Sequence, residues 1–159
     1  VRANPQMFRE AYTMCLKEGT FPERWKWQKL VLLPKENKPP ENPSSYRPLC
    51  MLDTAGKILE SIIQGRLEPL VERNLSDRQY GFRKGRSTQD AIKRVINRAK
   101  NAIAGKRWKG GAKKYCLAIA LDVKNAFNSA RWDKICSAMR ELKLPKYLVT
   151  LVRSYFKNR

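Results

Sequence analysis

Asp122 closes the apolar run Tyr115-Cys116-Leu117-Ala118-Ile119-Ala120-Leu121, and an aromatic, Phe127, follows five residues later. A carboxylate at the C-terminal tip of an apolar strand is a usual place for a metal or a substrate group in mixed sheets. An Asp that merely caps the next turn satisfies the same pattern. Beyond it stand only Asp133 and Glu141, on a helical face expected to be solvated, so a two-metal site, which needs converging carboxylates, cannot be completed by these residues alone. Phe127, judged by residue type, is a core residue. Gly81-Phe82-Arg83-Lys84-Gly85-Arg86-Ser87-Thr88 superficially suggests a nucleotide-phosphate loop, but its glycines are one residue too close and Arg86 stands where the lysine belongs. The segment still suits an anion, since a basic, glycine-flexible stretch feeds a helix N-terminus. Lys35 and Arg47 flank a proline-rich loop and, by position alone, are ordinary surface charges.

The 159 residues carry 34 Lys and Arg, 14 Asp and Glu and no histidine, for a net charge of +20. Without imidazole the chain can run neither a Ser-His-Asp nor a Cys-His mechanism. Carboxylate, lysine, arginine and bound cation remain. At 42% hydrophobic and 30% charged residues it is too apolar for a disordered tail and too polar to span a membrane. The excess charge is concentrated: Arg78 to Lys114 holds 13 bases and the single acid Asp90, a net of +12. A merely solvated helix face intersperses acids among its bases, so this stretch favours a polyanion. A membrane surface would want aromatics and leucines opposite the bases, whereas Ala, Val and Ile line the helix here, as in a protein core. Cys15, Cys50, Cys116 and Cys136 form no C-x-x-C pair and are read as reduced, buried thiols. Neither an initiator Met nor an apolar leader segment opens the sequence, which favours an intracellular setting, and the last residues break off within a helical pattern. A piece of a longer polypeptide is expected.

These candidate groups need elements to hold them. The spacing of Phe8, Ala11, Tyr12 and Cys15 predicts a helix over Pro5 to Glu18, stopped by Gly19. Trp27 to Leu33, closed by Pro34, predicts a strand that runs into a stiff, exposed loop from Lys35 to Ser45. Thr54 to Leu67 predicts a second helix, with Pro69 opening a further turn. Ser87-Thr88-Gln89-Asp90 resembles a capping box, and the apolar positions from Ala91 to Ile103 predict the third helix. Tyr115 to Leu121 reads as a central strand buried on both faces. Arg131 to Leu142 and Lys146 to Phe156 read as two helices parted by Pro145.

Three segments, in order, resemble the reverse transcriptase of LINE-like, non-LTR retrotransposons, most like those of insects. They are Ser45-Tyr46-Arg47-Pro48-Leu49 with Gly56-Lys57-Ile58-Leu59-Glu60, then Gln79-Tyr80-Gly81-Phe82-Arg83-Lys84-Gly85-Arg86-Ser87-Thr88, then Ala120-Leu121-Asp122-Val123-Lys124-Asn125-Ala126-Phe127. The resemblance implies an α/β (α+β) fold, with residues 1–114 as the fingers of a right-hand polymerase and residues 115–159 as the start of its palm. It implies that Asp122 is the first catalytic aspartate and coordinates both Mg²⁺ ions (or Mn²⁺ in their place), with the Val123 carbonyl as a further ligand. Phe127 matches the bulky residue beneath the incoming sugar, where it would collide with a 2′-hydroxyl. Lys35 and Arg47 match the residues that clamp the incoming triphosphate. Gly81, Phe82 and Arg83, with Lys84 and Arg86 beside them, match a segment that contacts nucleic acid. RNA template, DNA primer and dNTP are the implied partners, with no membrane, and the nucleus is the implied site of action. Asn128 stands where many relatives carry Asp. The family's later aromatic-Ala-Asp-Asp turn does not occur in these residues, so the piece alone is expected to be inactive. A non-catalytic, basic RNA-binding remnant is the alternative.

Overall fold

The computed structural model describes residues 4–107, 110–123 and 126–158. Helix α1 (Pro5–Glu18) starts where the Asn4 side chain accepts the Met7 N–H at 3.2 Å, with proline in the first turn, and ends at Gly19. Gly19 has φ +64°, and a Cβ there would lie 2.8 Å from the Thr150 methyl, so both conformation and space require glycine. Strands β1 (Gln28–Pro34) and β2 (Tyr46–Leu52) form an antiparallel hairpin whose register runs from Gln28 opposite Leu52 to Pro34 opposite Tyr46. In a two-stranded sheet both strands are edges, and this is why Pro48 can sit in β2 without breaking it.

Helix α2 (Thr54–Glu72) runs through Pro69 without a break, so the separate turn expected there is instead the continuation of one helix. Its first turn is fixed by the Asp53 carboxylate, which accepts the Gly56 N–H at 2.7 Å. A Cβ on Gly56 would meet the Trp25 carbonyl oxygen at 2.5 Å, so glycine lets the helix start close against that turn. Helices α3 (Thr88–Ile103), α4 (Ala126–Ser129), α5 (Trp132–Glu141) and α6 (Lys146–Phe156) complete the elements. The architecture is helix-rich with a small sheet, the α+β class that the sequence implies.

The chain divides into two compact units, one formed by the residues up to Val71 together with those from Ala130 on, the other by Glu72–Ser129. In the first, α6 packs on both α1 and α5. Phe21, Leu59, Leu148 and Leu151 are fully buried, with Tyr12, Ile63, Met139 and Val152 around them. Burial of side chains of this size stabilises by about 1.5–3 kcal/mol each. Polar ties cross the same core: the Phe21 N–H donates to the Ser154 hydroxyl at 2.9 Å, the Tyr155 hydroxyl to Glu60, and buried Lys26 to the Lys157 carbonyl at 3.0 Å.

The structure departs from the sequence reading in four respects. Tyr115–Leu121 is not a buried strand: it forms no ladder, and Tyr115, Leu117, Ile119 and Leu121 are all exposed. A strand is stable only when its backbone groups pair with a neighbour, and among the described residues the β1–β2 hairpin is the only sheet. The apolar stripe of α3 is likewise uncovered, with Ile92, Val95, Ile96 and Ile103 exposed. Phe127 is exposed and not core. Cys15 and Cys136 are buried as expected, but Cys50, on the open hairpin, and Cys116, in the unpaired segment, are exposed; all four are free thiols.

Candidate nucleic-acid interface

The loop between α2 and α3 carries the glycines and bases that the sequence marks for an anion, and arginines stitch it together. The Arg83 guanidinium has only 6% of its side chain exposed. Its Nε and Nη2 both donate to the Glu72 carboxylate, and its Nη1 donates to the Ser76 carbonyl at 2.7 Å. Arg86 donates to the Asp77 carbonyl and carboxylate at 2.9 and 3.1 Å and lies over the Tyr80 ring, 5.5 Å from its centroid. Arg94, from α3, reaches back to the Asp77 carbonyl and to the Tyr80 hydroxyl, whose hydrogen bond holds the guanidinium still more firmly protonated.

Helix α3 begins in the capping box that Ser87-Thr88-Gln89-Asp90 predicts: the Ser87 hydroxyl accepts the Asp90 N–H, and the Asp90 carboxylate accepts the Ser87 N–H at 3.0 Å. The Ser87 hydroxyl and N–H, followed by the charges of Lys93 and Arg86, hold the Asp90 carboxyl below the usual carboxylate range. The helix end expected to await an anion is therefore capped from within. What remains open is a concave surface of about 620 Å³ lined by Tyr80, Gly81, Phe82, Arg83, Lys84, Arg86, Ser87, Thr88 and Ala91. All five residues that the sequence assigns to nucleic acid, Gly81, Phe82, Arg83, Lys84 and Arg86, are in this lining.

Phe82 stands out of the groove at 96% exposure, on a backbone with φ +58°. The edge-to-face partner of its ring is Phe127, with centroids 6.0 Å apart and planes at 87°. The structure thus brings together the segment expected to touch template and the residue expected beneath the sugar. Asp122 and Val123 lie in the exposed segment of the same unit. A carboxylate and a carbonyl are the hard oxygen donors that Mg²⁺ takes. Their chemistry fits the ion, but among the described residues no cluster of three His, Cys, Asp or Glu side chains joins them.

The other two assigned residues share the loop end of the hairpin in the first unit. Arg47 stands opposite Leu33, and Lys35 follows the Pro34–Tyr46 pair directly. Lys35 is half-buried: its N–H donates to the Ser45 carbonyl at 2.7 Å and its Nζ to the Ser44 carbonyl at 2.8 Å. The buried Ser45 hydroxyl has no hydrogen-bond partner among the described residues. Sequence reasoning missed the residues that hold the loop in shape, Glu72, Asp77, Tyr80 and Arg94. One signal could have found two of them, since Glu72 and Asp77 are the acids that border a stretch otherwise nearly devoid of acid.

Residues 33–159 match the family model of the reverse transcriptase (RNA-dependent DNA polymerase), and the chain belongs to that family. Its relatives include the probable RNA-directed DNA polymerase from transposon BS of Drosophila melanogaster, 31% identical over 93% of this chain. The Pol polyprotein from type-1 retrotransposable element R1 of Bradysia coprophila is 33% identical over 93%. The RNA-directed DNA polymerase from mobile element jockey of Drosophila melanogaster is 30% identical over 93%. The chain spans 14–16% of the length of these relatives. The resemblance seen in the three segments is borne out. Among the described residues, no helix is long and apolar enough to cross a membrane.

Proposed function

We propose that this chain supplies the fingers and the first palm residues of an RNA-directed DNA polymerase, which adds dNTPs to a DNA primer on an RNA template within a mobile element. The observation that carries the reading is the family match over residues 33–159, a span that contains Lys35, Arg47, the groove residues and Asp122. The division of labour falls at residue 114/115, fingers before it and palm after.

Lys35 and Arg47, at one end of one hairpin, would hold the triphosphate of the incoming nucleotide. Two fixed cations offset the charge that develops on the phosphoryl oxygens as the primer 3′-hydroxyl attacks. The Asp122 carboxylate and the Val123 carbonyl would hold Mg²⁺, or Mn²⁺ in its place, which when bound supplies Lewis-acid stabilisation of that charge. Phe127 would lie against the sugar and exclude a 2′-hydroxyl by its bulk. Gly81, Phe82, Lys84 and Arg86 would meet the template, the glycine by permitting close backbone approach. The nucleus is proposed as its site of action on the family resemblance alone.

The test is made in the full-length polymerase. Asp122→Asn is expected to abolish primed DNA synthesis on an RNA template while RNA affinity stays within about twofold, since uniform binding is untouched. Lys35→Ala and Arg47→Ala are expected to raise the KM for dNTP. Synthesis by Asp122→Asn at the parent rate would remove the basis of the reading.

A further inference from the structure

Arg83 lies in the most basic stretch of the chain, where a guanidinium is ordinarily counted as a phosphate ligand, yet its side chain is 6% exposed. All three of its nitrogens are engaged inside the protein: two on Glu72, and the third on the Ser76 and Gln79 carbonyls at 2.7 and 3.4 Å. A planar fork held at several points fixes geometry and presents little charge outward. What it fixes is its neighbour. Phe82 sits in a left-handed backbone region that side chains rarely adopt, with its ring in solvent. Exposed aromatic rings beside a positive groove are what unpaired bases stack on.

We propose that Arg83 is a positioning residue: it ties the loop to the end of α2 so that the Phe82 ring is held out to stack on an unpaired base of the RNA, and it does not itself contact phosphate. The proposal rests on the polymerase reading above and reassigns a residue that the family resemblance gave to nucleic acid. Charge for the RNA backbone comes from exposed neighbours such as Lys84.

The test uses the 159-residue chain and a labelled single-stranded oligouridine, with affinity measured across a range of salt concentrations. Phe82→Ala is expected to weaken binding about tenfold, the contribution of one stacked base, with the slope of log affinity against log salt unchanged. Arg83→Lys keeps the charge and loses the fork. It is expected to weaken binding to a similar extent, again at constant slope. Adding Phe82→Ala to it should cost about twofold or less, because the ring it positions is already gone. The exchange Glu72→Arg with Arg83→Glu rebuilds the pair in reverse at the same net charge. It is expected to return affinity to within about threefold of the parent, which Arg83→Glu alone does not.

Parent-like binding by Arg83→Lys overturns the assignment. So does a slope lowered by about 0.7 in Arg83→Gln, the value of one phosphate on a single strand. Losses at 82 and 83 that multiply also overturn it. If Arg83→Glu fails to fold, Arg83→Lys and its combination with Phe82→Ala decide the matter. A parent chain that binds no RNA sinks the polymerase reading together with this one, whereas a parent that binds RNA while the losses multiply sinks the Arg83 assignment alone.

Discussion

Phe82 and Phe127 hold two rings in water, 96% and 81% exposed, where burial of each would be worth about 1.5–3 kcal/mol. Their edge-to-face contact returns only about 0.5–1.5 kcal/mol, so folding alone does not account for rings at both positions. In the proposed reading a ligand would account for them: the flat face of one for a base, the bulk of the other for a deoxyribose. The bulk is testable in the full-length polymerase. Phe127→Val should leave dNTP incorporation near the parent rate and improve ribonucleotide incorporation relative to it by roughly 10–200-fold, the range one pocket contact commands. The ratio of kcat/KM for a ribonucleotide and its deoxy counterpart measures this directly, and an unchanged ratio removes Phe127 from the sugar. Asp122 was legible as a candidate from its place after an apolar run, but its choice between ligand and turn cap was not, because that depends on groups distant in sequence. Arg83 shows the reverse: its residue type and its basic neighbours suggest a phosphate contact, and only the fold reveals Glu72 beside it.

At the scale of elements, local signals translated well and non-local ones did not. The helix over Pro5–Glu18, the strand ending at Pro34, the Ser87 cap and the helix over Lys146–Phe156 were all visible, since caps, prolines and apolar spacing act within a few residues. Strand β2 was missed because Pro48 interrupts its pattern and its pairing with β1 lies across the proline-rich loop. Tyr115–Leu121 has strand composition, but composition supplies no partner for its backbone. Helix α3 depends unusually on its own ends, since none of its residues is buried. Its cap should therefore control it. Asp90 titrates below its usual value in the folded chain, so its contribution is complete above about pH 3.9, the unfolded value, and is lost as pH falls through the lowered folded value. Amide exchange of residues 88–92 should accelerate as the pH falls through that lower value, after correction for intrinsic rates, and Asp90→Asn should abolish the pH dependence. A cap that persists unchanged as the pH falls through and below that lowered value would show that the carboxylate is not what holds it.

Across the whole molecule, stability and charge lie in different units. The core around Leu59, Leu148 and Leu151 is in the first, while the net +12 of Arg78 to Lys114 lies in the second. Leu148→Ala should therefore cost about 2–5 kcal/mol in denaturant unfolding. Ile92→Ala, on the uncovered stripe of α3, should stay within about 0.5 kcal/mol. Binding should answer to the other unit. Each phosphate that a lysine or arginine neutralises releases condensed counterion, so log affinity for RNA falls linearly with log salt, by about 0.7 per phosphate on a single strand. Arg83 and Arg94 are already engaged within the loop, so the slope should report fewer phosphates than the 13 bases of the stretch suggest. Paired neutralisation of Lys84 and Lys93, both exposed, should lower the slope by about 1.4 if each meets a phosphate and leave the Leu148-dependent stability unchanged. The same 159 residues should show no measurable extension of a primed RNA template with Mg²⁺, because Asp122 is the one carboxylate that this chain brings to the shared metal geometry in the family reading. Salt-dependent RNA affinity without synthesis is the expected pairing, measured on one preparation by filter binding and primer extension. A flat salt response would contradict the interface, and robust synthesis would contradict the division of the catalytic carboxylates.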